Sequence, residues 1–202
     1  MRPVLIDLCA GYGSLRKAAE LEGYQYVAVD IRQVEVEVAA TSKEVETQKV
    51  SWGAAISIRS ASILEATEDY LIHQCNCHST SAAGLASAIF ARYPYADTYS
   101  DRGEATQPGT ISVHDGDRSV VNLYAQRYPG RAGHGDDSEE QRQVWFRDGL
   151  AAVGQVAGLN SVAMPYGIGC GLAGGSWPVY HDMIRDFATA HPHLQVTLYH
   201  LK

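Results

Sequence analysis

Residues 164–178, MPYGIGCGLAGGSWP, constrain the fold of this chain more than any other segment. Five glycines fall between Gly167 and Gly175. Inside a helix or strand each glycine costs roughly 0.5–1 kcal/mol relative to alanine, so this segment is expected to be a loop. Two explanations are open: a turn that needs positive φ angles, or a group that must approach the backbone closely.

Strand-like apolar runs alternate with helical patterns along the rest of the chain. Runs such as VVNLY at 120–124 are continuously apolar, which is typical of strands covered on both faces. This alternation predicts an α/β fold in three layers. The predicted strands are 4–8, 26–31, 54–58, 70–75, 110–113, 119–124, 161–164 and 195–199, and the predicted helices are 14–22, 84–93, 138–157 and 176–190.

Several helix starts carry recognisable capping residues. DDSEEQ offers Asp137 or Ser138 as an N-cap, and GGSWP offers Ser176 with a proline close behind. Residues 33–49 are polar and rich in glutamate, which favours a connector. We therefore expect an N-terminal segment at 1–50 and a main domain at 51–202.

Composition narrows the classes of function. Of the 202 residues 46% are hydrophobic, as expected of a packed globular protein, and the formal net charge is −7. This acidity argues against broad binding to the phosphates of DNA or RNA, which needs a basic face. An anionic ligand would have to be held by backbone N–H groups and helix dipoles.

Cysteine spacing and apolar runs give further expectations. Cys75 and Cys77 are spaced wrongly for a zinc knuckle and no second pair follows, so we expect reduced thiols and neither a metal nor a cofactor. The apolar run near the N-terminus is too short for a signal peptide, and no segment reaches the length of a membrane span. These features predict a cytoplasmic protein.

Two strand–loop–helix units carry the functional signal. One contains the glycine run, and the other, residues 71–94, leads from a strand through Asn76 into a helix that begins near Gly84. Loops at the carboxyl ends of strands form the ligand crevice of α/β sheets. Glycines allow consecutive N–H groups to face a phosphate, and the following helix adds its positive end.

Together these units resemble the macro domain, the ADP-ribose-binding fold. QCNCHSTSAAGLASAI (74–89) is similar to the first ligand loop of that family, PYGIGCGLAGGSW (165–177) to its diphosphate loop, and VVNLYAQ (120–126) to its middle strand. The resemblance covers roughly 51–202 and is strongest to the ADP-ribose-1″-phosphate phosphatases and ADP-ribosyl hydrolases. It implies an α/β/α macro-type domain with a mixed central sheet and an N-terminal βαβ extension.

The resemblance also implies a set of ligand-binding residues. Asn76 would contact the distal ribose, and Gly84 and Leu85 would lie beside it. The backbone of 167–172 would wrap the diphosphate of ADP-ribose or ADP-ribose-1″-phosphate. The full predicted set is Ser62, Ile63, Asn76, His78, Ser79, Gly84, Leu85, Tyr166, Gly167, Ile168, Gly169, Cys170, Gly171 and Leu172.

Two positions depart from the family pattern. Ser62 stands where many macro domains have an aspartate that binds the adenine amino group, and Ala173 stands where some hydrolases carry a catalytic aspartate. Both departures favour a non-catalytic ADP-ribose reader. The unbroken GCGLAGG element favours an enzyme, either a phosphatase or a hydrolase acting on ADP-ribosylated macromolecules; nucleic acid would enter only as such a substrate.

If the protein is an enzyme, three residues are candidates for the catalytic machinery. Asn76 could position a water beside the distal ribose. His134 and Asp136 stand close together in GRAGHGDD, and a carboxylate beside a histidine can orient it for acid–base chemistry.

The N-terminal segment has a resemblance of its own. Residues 1–31 are similar to the opening βαβ unit of class I methyltransferases, with Gly11 and Gly13 in the turn and Asp30 at the position of the ribose-binding acid. Fifty residues cannot complete that fold, which favours a structural extension; a second cofactor site is the alternative.

Overall fold

The computed structural model describes residues 4–7, 25–28, 56–100, 102, 106–133 and 135–201. Packing divides the chain into two compact units, Met1–Ser51 and Trp52–Lys202. In the first unit, β1 (Val4–Asp7) and β2 (Gln25–Ala28) form a parallel pair. The predicted helix at 14–22 and the predicted turn and ribose-binding positions lie outside the described residues, so the extension remains a prediction.

The second unit is built on one six-stranded sheet. Its elements are β3 (Ile56–Arg59), β4 (Tyr70–Asn76), α1 (Gly84–Arg92), β5 (Ile111–His114), β6 (Ser119–Gln126), α2 (Glu139–Val153), β7 (Ser161–Pro165), α3 (Trp177–Ala190) and β8 (Gln195–Tyr199). The strand order is β3-β8-β7-β4-β6-β5. All neighbours are parallel except β5, which runs antiparallel to β6. The prediction of a mixed central sheet is confirmed.

Two hydrophobic cores lie on opposite faces of this sheet, because successive side chains of a strand point to opposite sides. Ile72 of β4 and Val121 of β6 pack with helices α2 and α3. Their sequence neighbours Leu71 and Val120 pack with α1 on the other face. The sheet is therefore covered on both sides, and the predicted three-layer α/β/α arrangement is confirmed.

Differences at the element ends have local causes. Ser138 caps α2, its Oγ accepting the N–H of Gln141 at 3.1 Å, which resolves the choice between Asp137 and Ser138. Helix α2 ends at Val153, four residues before the predicted end, because the chain turns at Gly154. Strand β6 extends two residues beyond the prediction, to Gln126, and so carries a polar side chain to the edge where the candidate site lies.

Candidate ligand-binding site

A cleft of about 380 Å³ opens at the carboxyl ends of β4, β6 and β7. Strand β4 lies between the other two, so the loops that follow all three strands meet there. Both predicted ligand loops contribute to its walls. The lining residues are His73, Gln74, Asn76, Ser79, Ser81, Ala83, Gly84, Leu85, Ala86, Tyr99, Gln126, Pro129, Gly130, Pro165, Tyr166, Gly167, Ile168, Gly169, Gly171, Leu172 and Ala173.

Asn76, the last residue of β4, is buried and held from both ends of its carboxamide. Its Oδ1 accepts the backbone N–H groups of His78, at 3.0 Å, and Ser79, at 2.7 Å. Its Nδ2 donates to the hydroxyl of Tyr99 at 3.0 Å, and the same hydroxyl accepts the backbone N–H of Asn76 at 2.8 Å. The carboxamide therefore shapes its own loop and is fixed in one orientation at the cleft.

Helix α1 begins at the cleft without a capping side chain. Its N-cap residue is Ala83, which makes no side-chain hydrogen bond. The N–H groups of the first turn of an α-helix have no partner inside the helix and carry the positive end of its dipole. Leu172 of the glycine loop reaches across, its Cδ1 lying 3.1 Å from where a Cβ of Gly84 would stand. The two ligand loops therefore face each other at close range.

The glycine loop leaves a row of backbone N–H groups without partners. Hydrogen bonds within the loop use the N–H groups of Ile168, Cys170, Gly174 and Gly175. Five others donate no hydrogen bond within the described part of the chain: those of Gly167, Gly169, Gly171, Leu172 and Ala173. Unpaired N–H groups beside a cavity are suited to bind an anion.

Gly169 is required by both backbone angle and space. Its φ is +74°, a region that side-chain-bearing residues rarely adopt. A Cβ there would collide with the ring of Tyr180 and would lie 2.6 Å from Oε1 of Gln74. Gly171 differs, because it has no positive φ and a Cβ on it would meet nothing within 4 Å. Close packing beneath the loop explains why residue 169 is a glycine. Gly171 instead borders the open cleft, where a ligand could approach its backbone.

A chain of carboxamides lies on the floor of the cleft. Gln74 of β4 donates through Nε2 to Oε1 of Gln126 at 2.7 Å, and Gln126 donates through Nε2 to the carbonyl of Tyr128 at 2.9 Å. This chain sets the orientation of both amides, and it leaves Oε1 of Gln74 buried with no partner among the described residues. Neither glutamine was predicted as a site residue, although Gln126 directly follows the apolar run on the strand beside Asn76.

A buried ion pair connects the walls of the cleft. Arg142 of α2 binds Asp137 and also donates to the carbonyls of Gly130, at 2.7 Å, and Ala173, at 3.2 Å. Burial alone would raise the pKa of Asp137, but hydrogen bonds from Arg142 and from the N–H of Tyr128 outweigh burial and hold that pKa below its usual value. From the sequence Asp137 was predicted only as a possible N-cap of α2, and its pairing with Arg142 was not predicted.

His73 lies beneath the cleft as a neutral imidazole. Its Nε2 is 2.7 Å from Oδ1 of Asn122, and Asn122 uses its Nδ2 to donate to the carbonyl of Ala96. The carboxamide oxygen is thus the acceptor, and Nε2 of His73 carries the hydrogen. Complete burial lowers the pKa of His73 to about 4, with Asn122 opposing that shift.

The predicted catalytic residues are not all brought together. Asn76 lines the cleft, but Asp136 does not and forms a bidentate pair with Arg127, at 2.9 Å and 2.8 Å, on an exposed part of the surface. His134 lies outside the described residues. The acid–base role of His134 and Asp136 therefore stays a prediction.

Ten of the predicted ligand-binding residues line the cleft and four do not. Those that line it are Asn76, Ser79, Gly84, Leu85, Tyr166, Gly167, Ile168, Gly169, Gly171 and Leu172. Of the four others, Ser62 caps a 3₁₀ turn, Ile63 is in the core, and His78 packs edge-on against Tyr128. Burial raises the pKa of the fourth, Cys170, to about 11, so its thiol is un-ionised near neutral pH.

An aromatic group borders the cleft on the β7 side. The ring of Tyr166 lies 4.6 Å from that of Trp177 and 4.8 Å from that of His200, measured between centroids. Tyr166 is itself a lining residue and is 38% exposed. This rim therefore offers a flat, partly exposed surface on which another ring could stack.

Comparison with known proteins identifies the fold. No protein-family model and no curated protein sequence matches this chain. Among solved structures, the macrodomain of Mycobacterium tuberculosis DarG is 20% identical with a TM-score of 0.58, covering 73% of this chain and 98% of its own. The macrodomain of Thermus aquaticus DarG is 21% identical with a TM-score of 0.55, covering 74% and 99% respectively.

A third similar structure is a mutant of the Oceanobacillus iheyensis macrodomain with ADPR, 18% identical with a TM-score of 0.55, covering 72% of this chain and 84% of its own. At this level of sequence identity the similarity establishes the fold and nothing more. The chain described here has the macro-domain fold. Within the described residues, no helix has the length and apolar character needed to cross a membrane.

Proposed function

We propose that the cleft binds ADP-ribose or a close derivative of it. The observation that carries this proposal is the set of five N–H groups that have no partner among the described residues, in a glycine loop that borders the cleft together with the uncapped start of α1. A diphosphate supplies several acceptor oxygens for the unpaired N–H groups. Its negative charge is complementary to the positive end of the helix dipole. The macro-domain fold, and a structural neighbour with ADPR, support the same ligand.

The rest of the ligand is proposed to extend along the cleft in both directions. Asn76 would meet the distal ribose through the second hydrogen of its Nδ2, because Tyr99 takes only one. The adenine would stack near Tyr166 at the aromatic rim. Ser62 is bound to its own turn, so this site would hold adenine by stacking more than by a side-chain acceptor.

A charge placed in the cleft tests the proposal. Gly171→Glu adds a carboxylate where a Cβ meets no neighbouring atom, so the fold should persist while repulsion of the diphosphate abolishes binding of ADP-ribose by calorimetry. Val144→Glu is the control, since it adds the same charge at an exposed position of α2 that does not line the cleft. Unchanged affinity in the Gly171 variant, or no binding by the natural sequence, would refute the proposal.

A second candidate function is hydrolysis at the distal ribose, as in an ADP-ribose-1″-phosphate phosphatase or an ADP-ribosyl hydrolase. The supporting observation is that Asn76, Ser79 and Ser81 all line the cleft, so that two hydroxyls and a fixed carboxamide could hold a water. The bidentate pairing of Asp136 with Arg127 argues against this candidate and favours a reader of ADP-ribosylated macromolecules.

A substrate panel separates the two functions. ADP-ribose-1″-phosphate and ADP-ribosylated protein or DNA would be assayed for release of phosphate and ADP-ribose. An enzyme should lose kcat in Asn76→Ala, because a group that positions the reacting centre acts in the transition state. Binding without release from any substrate would leave the reader function alone.

A further inference from the structure

Three arginines lie on the loop that follows β6 or bind to it, none of them among the residues that line the cleft, and they differ in their partners. Arg127 is paired with Asp136, and Arg142 is paired with Asp137. Arg131 lies between them in the sequence, is exposed, and has no ion pair or hydrogen bond within the described residues. A cation without a partner is therefore present on the same loop that contributes Gly130 to the cleft.

The side chain of Arg131 packs against the glycine loop at Gly174. Its Cγ is 2.9 Å, its Nη1 3.5 Å and its Cδ 3.6 Å from the position that a Cβ of Gly174 would occupy. Gly174 has a φ of +75° and follows Ala173, which lines the cleft and has an unpartnered N–H. The absence of a side chain at Gly174 is what allows the arginine to lie so close to the loop backbone.

We infer that Arg131 is the side chain that recognises phosphate in this cleft, an inference that rests on the proposed ADP-ribose function. The loop N–H groups are neutral donors, whereas the guanidinium adds a full positive charge and a planar set of donors that matches phosphate oxygens. This charge matters in a chain whose formal net charge is −7, because the average field of the protein repels an anionic ligand.

The pairing of the other two arginines favours Arg131 for this role. Arg142 is 3% exposed and its donors are taken by Asp137 and loop carbonyls, so it cannot turn towards a ligand. Arg127 would have to release two hydrogen bonds to Asp136. Arg131 has no such bonds to release, and its Nη1 already lies 3.5 Å from the position that a Cβ of Gly174 would occupy.

Three variants of the full chain test this inference with ADP-ribose in a calorimeter. Arg131→Gln should weaken binding about tenfold, since a charge-assisted hydrogen bond to phosphate is lost. Arg131→Lys keeps the charge without the planar fork and should fall between that variant and the natural sequence. The matched control is Arg147→Gln, which removes a likewise exposed arginine from α2, outside the glycine loop and the loop that follows β6.

The salt dependence of ADP-ribose binding distinguishes a direct contact between Arg131 and the ligand from a purely structural role of this side chain. The logarithm of Kd should rise less steeply with salt concentration in Arg131→Gln than in the natural sequence, because one fewer charge contacts the ligand. Affinity within twofold of the natural sequence, or an unchanged salt slope, would overturn the inference. If Gly171→Glu abolishes binding while Arg131→Gln does not affect it, the proposed function stands and this inference alone fails.

Discussion

The guanidinium of Arg142 binds the carboxylate of Asp137 through two hydrogen bonds, 2.6 Å from Nε to Oδ1 and 2.7 Å from Nη2 to Oδ2. The side chains are 3% and 0% exposed. The remaining donors of Arg142 reach the carbonyls of Gly130, Ala173 and Tyr128. One side chain of α2 thus holds together two loops that both line the cleft.

Breaking this pair should destabilise the protein strongly. Arg142→Met leaves the carboxylate of Asp137 buried without its cation, which typically costs about 3–5 kcal/mol of unfolding free energy. Urea unfolding measures the loss. Arg185→Met removes an exposed pair with Asp182 and should cost less than about 1 kcal/mol. Similar losses in the two variants would contradict the structural role of Arg142.

Replacing two glycines of the loop with alanine should have different effects on stability. Gly169→Ala combines a positive φ with a collision against Tyr180, so it should lower the unfolding free energy by about 1–3 kcal/mol and weaken ligand binding. Gly171→Ala meets nothing within 4 Å and should leave stability within about 0.5 kcal/mol of the natural sequence. Thermal unfolding of both variants checks the contrast, and equal midpoints would count against it.

The hydroxyl of Tyr99 should be needed to hold Asn76. Tyr99→Phe removes the acceptor of both the backbone N–H and the Nδ2 of Asn76, leaving a buried donor unsatisfied at a cost of about 1–3 kcal/mol. Tyr95→Phe is the control, since that hydroxyl bonds to Arg118 at an exposed position where water can replace it. Denaturation with both variants tests this, and a larger loss for Tyr95→Phe would contradict it.

Stability should fall on acidification before most carboxylates titrate. Burial lowers the pKa of His73 to about 4, whereas an unfolded histidine has a pKa of about 6.5. Between these values the unfolded chain binds a proton that the folded chain does not, so stability is lost as pH drops from about 6.5 to about 4, by on the order of 3 kcal/mol. The pKa of His114 is also lowered by burial and adds to the loss in the same direction.

The matched variant for this pH effect is His73→Gln, whose amide can still donate to Asn122 but does not titrate. Unfolding free energies would be measured in urea at pH 7 and pH 4.5. The difference between the two pH values should shrink in the variant. If the variant loses as much stability on acidification as the natural sequence, His73 is not the group responsible.

Local sequence patterns were sufficient to predict the types of the secondary-structure elements and the presence of the central sheet. The predicted strand at 195–199 is β8 with the same bounds, and the other described strands and helices lie within a few residues of their predictions. Apolar periodicity and capping residues act over one or two turns, so they are visible in a single sequence. The five glycines likewise marked the loop that borders the cleft.

Partner choice among polar side chains was decided by the tertiary structure. Asp136 stands two residues from His134 in the sequence, yet its carboxylate binds Arg127, and Asp137 binds Arg142 of the following helix. Charge and spacing alone do not say which cation lies at hydrogen-bonding distance once a loop folds back. The same holds for Gln74 and Gln126, which meet because β4 and β6 are neighbours, although 52 positions separate them in the sequence.

The sequence by itself therefore determined the layers, the mixed sheet and the two loops that border the cleft, since each depends on local periodicity or on a recognisable motif. Tertiary structure alone decided that the carboxamide of Asn76 is fixed between its own loop and Tyr99, and that Gly169 is packed while Gly171 is open. It also decided that Arg131 has no partner among the described residues. These outcomes depend on distances between segments remote in sequence, and hydrogen bonding and packing are satisfied only when those segments have come together.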